Sequence, residues 1–411
     1  MRLPTSVANI VSAAMIMMLF GAGSTWGQAV PPKMGAVGDS LLDEHFDQSG
    51  FSGISLDYSR NAIQLMVDAG KIDAGPTGNW GGTRGTGYEY NWALAGSTTE
   101  SMIGSDQHTN LASQAASAGV AKAVIVIGSN DLFPFPAAVG NNTSTLAVTA
   151  LPQSSYESIY FGLATTAEID AFASAAVARV SLAATTLRNA GIDVVVATAP
   201  EYGIAPLTEF LYPVGLGRER IDAVMGQYNR DATDELTQNV GVPVVDLYTM
   251  TKDIWGDNLN PKETFEIGGV EIDLNGTAGV DFRDYLQLPL PPGVITDDTP
   301  DAFTHDGIHP NTIVNGMFAN LFMTAFNSEY GDNFSLFTEP EMLANASGDL
   351  VYTGDTITNA LGGKTYANYV VSAVAVPEPS TLAMSCLASA AVVGMVVRRR
   401  HRNRRRETLS R

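Results

Sequence analysis

Residues Ala123-Val124-Ile125-Val126-Ile127 form an unbroken apolar run that Gly128 ends. Five such residues fit a strand covered on both faces, as in a parallel sheet between two helical layers. The run has companions: Lys33 to Gly38, Tyr88 to Leu94, Ile192 to Ala197 and Pro243 to Leu247 read as four more strands. Helical patterns lie between and after them, at Tyr58 to Ala69, Ala167 to Asn189, Arg218 to Val240 and Asn311 to Phe326. This alternation predicts an α/β fold with a central parallel sheet of about five strands. In such sheets the reactive loops lie beyond the carboxyl ends of the strands. Ser40, Gly96, Gly128 and Asn130 each fall just after a predicted strand, which places them on one rim.

Some stretches exceed a minimal sheet. Gly70 to Gly87 reads as a glycine-rich loop; its spacing fits no phosphate loop, and it precedes a strand rather than following one. Pro134 to Ser155 reads as a long polar loop. Residues 251–304 form an insertion, in which Thr264 to Ile267 and Val270 to Leu274 flank Gly268-Gly269 as a β-hairpin would. Residues 331–375 are polar and glycine-containing and read as a stalk or linker with room for one added strand.

The ends carry their own signals. Arg2, the largely apolar Val7 to Phe20 and Gly27-Gln28-Ala29 give residues 1–29 the layout of a secretory signal peptide. At the other end Val376-Pro377-Glu378-Pro379-Ser380-Thr381 precedes the apolar run Leu382 to Val397 and then a cluster of arginines. Sixteen helical residues rise about 24 Å, slightly short of a hydrocarbon core of about 30 Å. Arginines on the far side would hold that tail inside and the body outside. Residues 376–411 resemble a PEP-CTERM sorting signal, which implies an exosortase-like processing enzyme as partner and a transient C-terminal membrane anchor. The expected location is therefore the cell surface, the extracellular matrix or the medium.

Charge narrows the partners. The chain carries −20 overall, and residues 30–376 hold 14 Lys and Arg against 41 Asp and Glu. Such a surface repels polyanions, so nucleic acid is not expected as a partner. The one cysteine, Cys386, lies in the C-terminal apolar run. The body therefore has no disulfide framework, no thiolate metal site and no cysteine nucleophile.

What remains is serine chemistry. Gly38-Asp39-Ser40-Leu41 places a small nucleophile at the end of a strand. In Asp306-Gly307-Ile308-His309 a carboxylate precedes an imidazole by three residues, so one turn can bond Asp306 to Nδ1 and leave Nε2 to take a proton from Ser40. His305 lacks a carboxylate at that offset, and His45, five residues after Ser40, is expected on the following helix, pointing away. The Ser40 N–H, the Gly96 N–H and the Asn130 amide are candidate donors to an oxyanion. His305-x-x-x-His309 lacks a second pair of metal ligands, so neither metal nor other cofactor is expected.

These segments resemble the GDSL, or SGNH, hydrolases. Gly38-Asp39-Ser40-Leu41 with Asp43 matches the first block of that family, Asn91 to Gly96 the second, Gly128 to Asp131 the third, and Asp306 to Pro310 the last. The resemblance implies a flavodoxin-like three-layer α/β/α sandwich over residues 30–330. It also implies metal-free ester hydrolysis, with Ser40, Asp306 and His309 catalytic and with Ser40, Gly96 and Asn130 holding the oxyanion. The expected substrate is a small-molecule or glycan ester. Alternatives are a carbohydrate O-deacetylase or acyltransferase on the same site, or a glycan-binding matrix protein without catalysis.

Overall fold

The computed structural model describes residues 30–46, 48, 55–82, 84–132, 155–201, 203–212, 214–257, 259–274, 301–304, 306–346 and 360–374. Five strands, β1 Met34–Gly38, β2 Lys122–Val126, β3 Asp193–Ala197, β4 Val244–Val245 and β5 Val370–Val371, lie side by side in that order. The first four are parallel, with Met34 opposite Lys122 and Lys122 opposite Asp193, and β5 runs antiparallel to β4.

Alternation along the strands sorts the side chains into two cores. Met34, Ala36, Val124, Val126 and Val195 meet helices α1 Ala62–Asp68 and α5 Thr312–Tyr330 on one face. Val37, Ala123, Ile125, Val194 and Val196 meet α2 Gln107–Ala118, α3 Thr166–Asn189 and α4 Leu216–Asp234 on the other. This is the three-layer sandwich expected of the sequence. Helix starts are set locally. Asn61 and Gln64, then Thr165 and Glu168, form reciprocal capping boxes at α1 and α3, each cap worth about 1 kcal/mol. Asn311 caps α5 by accepting from the N–H groups of Ile313 and Val314.

Three expectations are corrected. The predicted strand Tyr88 to Leu94 is not a strand of the sheet: a turn from Asn91 N–H to the Tyr88 carbonyl interrupts it, and it joins β1 through one bridge, Ala36 to Asn91. The glycine-rich loop is in part a hairpin, Thr77–Gly81 against Gly85–Tyr88. The fifth strand comes from the stretch expected as a stalk, and it is antiparallel, so the sheet is mixed. From that same stretch α6 Glu339–Ala346 packs its Met342 and Leu343 into the core, and Tyr369 is 1% exposed. The hairpin inserted within 251–304 is present, Thr264–Ile267 against Val270–Asp273. No helix among the described residues is long and apolar enough to cross a membrane. The expected signal peptide, the run Leu382 to Val397, most of the loop after β2 and residues 275–300 lie outside them.

Candidate active site

The carboxyl ends of β1 and β2 carry the first and third motifs. Gly38, at the last position of β1, has φ +149°, and a Cβ there would lie 1.9 Å from the Val126 carbonyl oxygen, so only glycine fits. The chain then turns tightly. The N–H groups of Leu42 and Asp43 both donate to the Asp39 carbonyl, and Leu41 N–H donates to Asp39 Oδ1 at 3.1 Å. Ser40 stands at the head of this turn, 9% exposed. Among the described residues neither its N–H nor its hydroxyl has a hydrogen-bond partner.

The second motif is tied to this turn from several sides. Leu94 N–H donates to the Gly38 carbonyl, Ala95 N–H to Asp43 Oδ2 at 2.7 Å, and Asn91 Nδ2 to the Leu42 carbonyl at 2.7 Å. Gly96 follows, exposed, at φ +76°, with open space where a Cβ would be. Its N–H has no partner among the described residues. Asn130 donates from Nδ2 to the Ser97 carbonyl at 3.1 Å, which leaves the second amide proton available. Next to it, buried Asp131 accepts from Thr99 through both N–H and Oγ1 at 2.7 and 2.6 Å; burial pushes its pKa up to about 6 against those bonds.

The last motif is a loop closed on itself. Thr304 N–H donates to the His309 carbonyl, Asn311 N–H to the Ala302 carbonyl, and Leu207 N–H reaches across to the Gly307 carbonyl. Inside the loop Asp306 Oδ2 lies 2.5 Å from His309 Nδ1. Its Oδ1 accepts from Thr304 Oγ1, Ile308 N–H and His309 N–H at 2.8, 3.0 and 3.1 Å. Burial works to raise the Asp306 pKa, but the imidazole charge and these bonds override it and hold the carboxyl below the usual carboxylate range. For His309 burial opposes the charged form. The Asp306 charge and hydrogen bond, helped by Asp39 and Asp43, outweigh it and raise the pKa. Asp39, fully buried, has its own pKa pushed up to about 7 by desolvation, against the Leu41 N–H and His309.

His45 corrects the sequence reading. It is not on a helix pointing away. It lies in the turn after Ser40, 1% exposed, with its ring centroid 6.2 Å from that of His309 and the planes at 73°. Neither ring nitrogen has a partner among the described residues, and burial pushes the pKa down to about 3, so the ring is neutral. His305 lies outside the described residues. Gln107 is no candidate by sequence, yet it is 2% exposed and bonds to Gly38 of the first motif and to Ser97, the residue directly after the second. It belongs to no recurring spacing, so nothing in the sequence marks it.

The model of the GDSL-like lipase/acylhydrolase family matches residues 34–322, and that of the PEP-CTERM protein-sorting motif matches residues 375–400. Among curated proteins none matches the chain. Solved structures that resemble it include Axe2, an acetylxylan esterase from Geobacillus stearothermophilus, at 12% identity over 73% of this chain and 97% of that one, TM-score 0.33. Others are LAE5, an alpha/beta hydrolase from the metagenome of Lake Arreo, Spain, at 16% identity over 72% and 95%, TM-score 0.32, and the acetyl xylan esterase AlAXEase, at 14% over 71% and 98%, TM-score 0.32.

Proposed function

The chain belongs to the GDSL-like lipase/acylhydrolase family, a family of ester hydrolases, and from that premise we propose that it is an exported serine esterase working through Ser40, His309 and Asp306. Ser40 Oγ attacks the acyl carbonyl while His309 Nε2 takes the hydroxyl proton. The tetrahedral oxyanion is held by the N–H groups of Ser40 and Gly96 and by the Asn130 amide. Collapse expels the alcohol, which receives the proton from His309, and leaves the acyl group on Ser40. Water, deprotonated by the same imidazole, then releases the acid.

The observation that carries this reading is the 2.5 Å contact between Asp306 and His309 Nδ1. It occupies Nδ1, fixes the ring and leaves Nε2 for proton transfer, a step typically worth about 10²–10⁴ in rate. Each oxyanion donor would add about 2.7–4 kcal/mol of transition-state stabilisation. The substrate is a small-molecule or glycan ester. The test is hydrolysis of p-nitrophenyl acetate and butyrate: wild type should turn both over, and folded Ser40→Ala should keep less than about 1% of that rate. A Ser40→Ala protein with wild-type turnover would refute the assignment.

The termini complete the proposal. Residues 1–29 are the export signal, the hydrolase domain runs from residue 30 through the 251–304 insertion to the edge strand Val370–Val371, and 376–411 are the sorting signal. The apolar run Leu382 to Val397 anchors the precursor until an exosortase-type enzyme cuts near Pro377. Mass spectrometry of the protein from its native host tests this: a C-terminus close to Pro377 supports it, and an intact Arg411 in membrane fractions contradicts it.

A further inference from the structure

Gln107 forms a buried crosslink between the end of β1 and the loop that carries Gly96. Its Oε1 accepts from Gly38 N–H at 2.9 Å, and its Nε2 donates to Ser97 Oγ at 3.1 Å. Gly38 lies two residues before Ser40, and Ser97 directly follows Gly96. The Ser97 carbonyl in turn accepts from Asn130 Nδ2. The side chain of Gln107 and residue Ser97 therefore join the first three motifs into one hydrogen-bonded unit, with Gln107 2% and Ser97 3% exposed.

The need for a side chain here follows from the sheet. β1 pairs with β2 on one side only, and the segment on its other side is not a sheet strand. That segment donates to the Gly38 carbonyl through Leu94, but it offers no acceptor for the Gly38 N–H. A buried N–H left unpaired is costly, and Gln107 supplies the acceptor from a helix instead. A primary amide can accept at one end and donate at the other, which this position uses in full. The backbone is bent to deliver it. Asp106, which precedes Gln107 at the start of α2, has φ 58° and ψ 26°, the only positive φ of a non-glycine residue among the described residues. No side-chain bond caps that helix start.

We infer that Gln107 is a positioning residue of the oxyanion hole, holding the Gly96 N–H and the Asn130 amide in register with Ser40. The inference rests on the assignment of Gly96 and Asn130 to the oxyanion. The oxyanion forms only after attack, so a loosened hole costs transition-state stabilisation with little change in substrate binding.

The test is steady-state hydrolysis of p-nitrophenyl acetate by the full chain and its variants. Gln107→Leu should lower kcat about 10- to 30-fold with KM within about twofold, and leave the acid limb of the pH profile in place. Gln107→Glu, which still accepts from Gly38 and can accept from the Ser97 hydroxyl, should stay within about threefold of wild type. Ser97→Ala cuts the same link from its other end and should reproduce the kcat loss, should Gln107→Leu fail to fold. Combined with Asn130→Ala, either variant should cost less than the product of the single effects, because both act on one group. Wild-type kcat in Gln107→Leu or Ser97→Ala alongside a damaged Asn130→Ala would overturn the inference and leave the esterase reading standing, and so would independent, multiplying losses. Wild-type kcat in Asn130→Ala would instead overturn the oxyanion assignment on which the inference rests.

Discussion

Asp306 Oδ2 and His309 Nδ1 stand 2.5 Å apart inside a loop whose own ends are hydrogen-bonded together. The contact favours the ionised form of both partners, lowering the pKa of the acid and raising that of the base. A general base must be neutral to act. Activity should therefore be lost as pH falls through the raised His309 pKa, with the acid limb of kcat/KM above the ordinary imidazole value of about 6.5. Asp306→Asn removes the charge that raises it. That variant should shift the limb to lower pH and reduce kcat by about 10²-fold. A limb unmoved by Asp306→Asn would break the link between the two residues.

His45 gives a prediction of a different kind. Its ring is buried against His309, both nitrogens are unpaired among the described residues, and its pKa is pushed down to about 3. Between about pH 6.5 and that value the unfolded chain takes up a proton that the folded protein refuses. Stability from this site is thus full above about pH 6.5 and declines as pH falls, at about 1.4 kcal/mol per pH unit. His45→Phe keeps an aromatic ring without buried nitrogens. It should fold at least as stably at about pH 7 and lose less stability than wild type between about pH 6.5 and 4. His45→Ala should cost about 2–4 kcal/mol through the cavity it leaves. Urea unfolding at several pH values measures all three, and parallel wild-type and His45→Phe curves would contradict the assignment.

Parts of this layout are legible in the sequence and others are hidden, for physical reasons. The long strands can be read because burial on both faces leaves their interiors apolar, as in Ala123 to Val126 and Val194 to Ala197. Asp306 and His309 can be read together because one turn carries both. Val370 and Val371 cannot, since a two-residue edge strand in a polar stretch has no periodicity to detect. Tyr88 to Leu94 has strand-like composition, yet the turn closed by Asn91 N–H limits it to one bridge with β1. His45 escapes the sequence because the segment after Ser40 is not the expected helix; the chain turns there and folds the ring back toward His309.

The edge strand has a consequence for where the folded unit ends. Tyr369 is 1% exposed, its hydroxyl donates to Asp253 Oδ2 at 2.7 Å, and its carbonyl accepts from Asp246 N–H at 2.8 Å. Tyr369→Ala should destabilise the protein by about 3–5 kcal/mol, and a chain ending at residue 330 should fold poorly. Equal urea midpoints for wild type and Tyr369→Ala would show that residues 366–371 add nothing to the core.

The nucleophile is the center of the account, and a fluorophosphonate probe tests it most directly, because it phosphonylates an activated serine and stays attached. After one equivalent is bound, peptide mass spectrometry should find the added mass on Ser40 alone. His309→Ala should slow the labelling by about 10²-fold or more. Labelling of a different serine, or full esterase activity in protein whose Ser40 is completely modified, would contradict it.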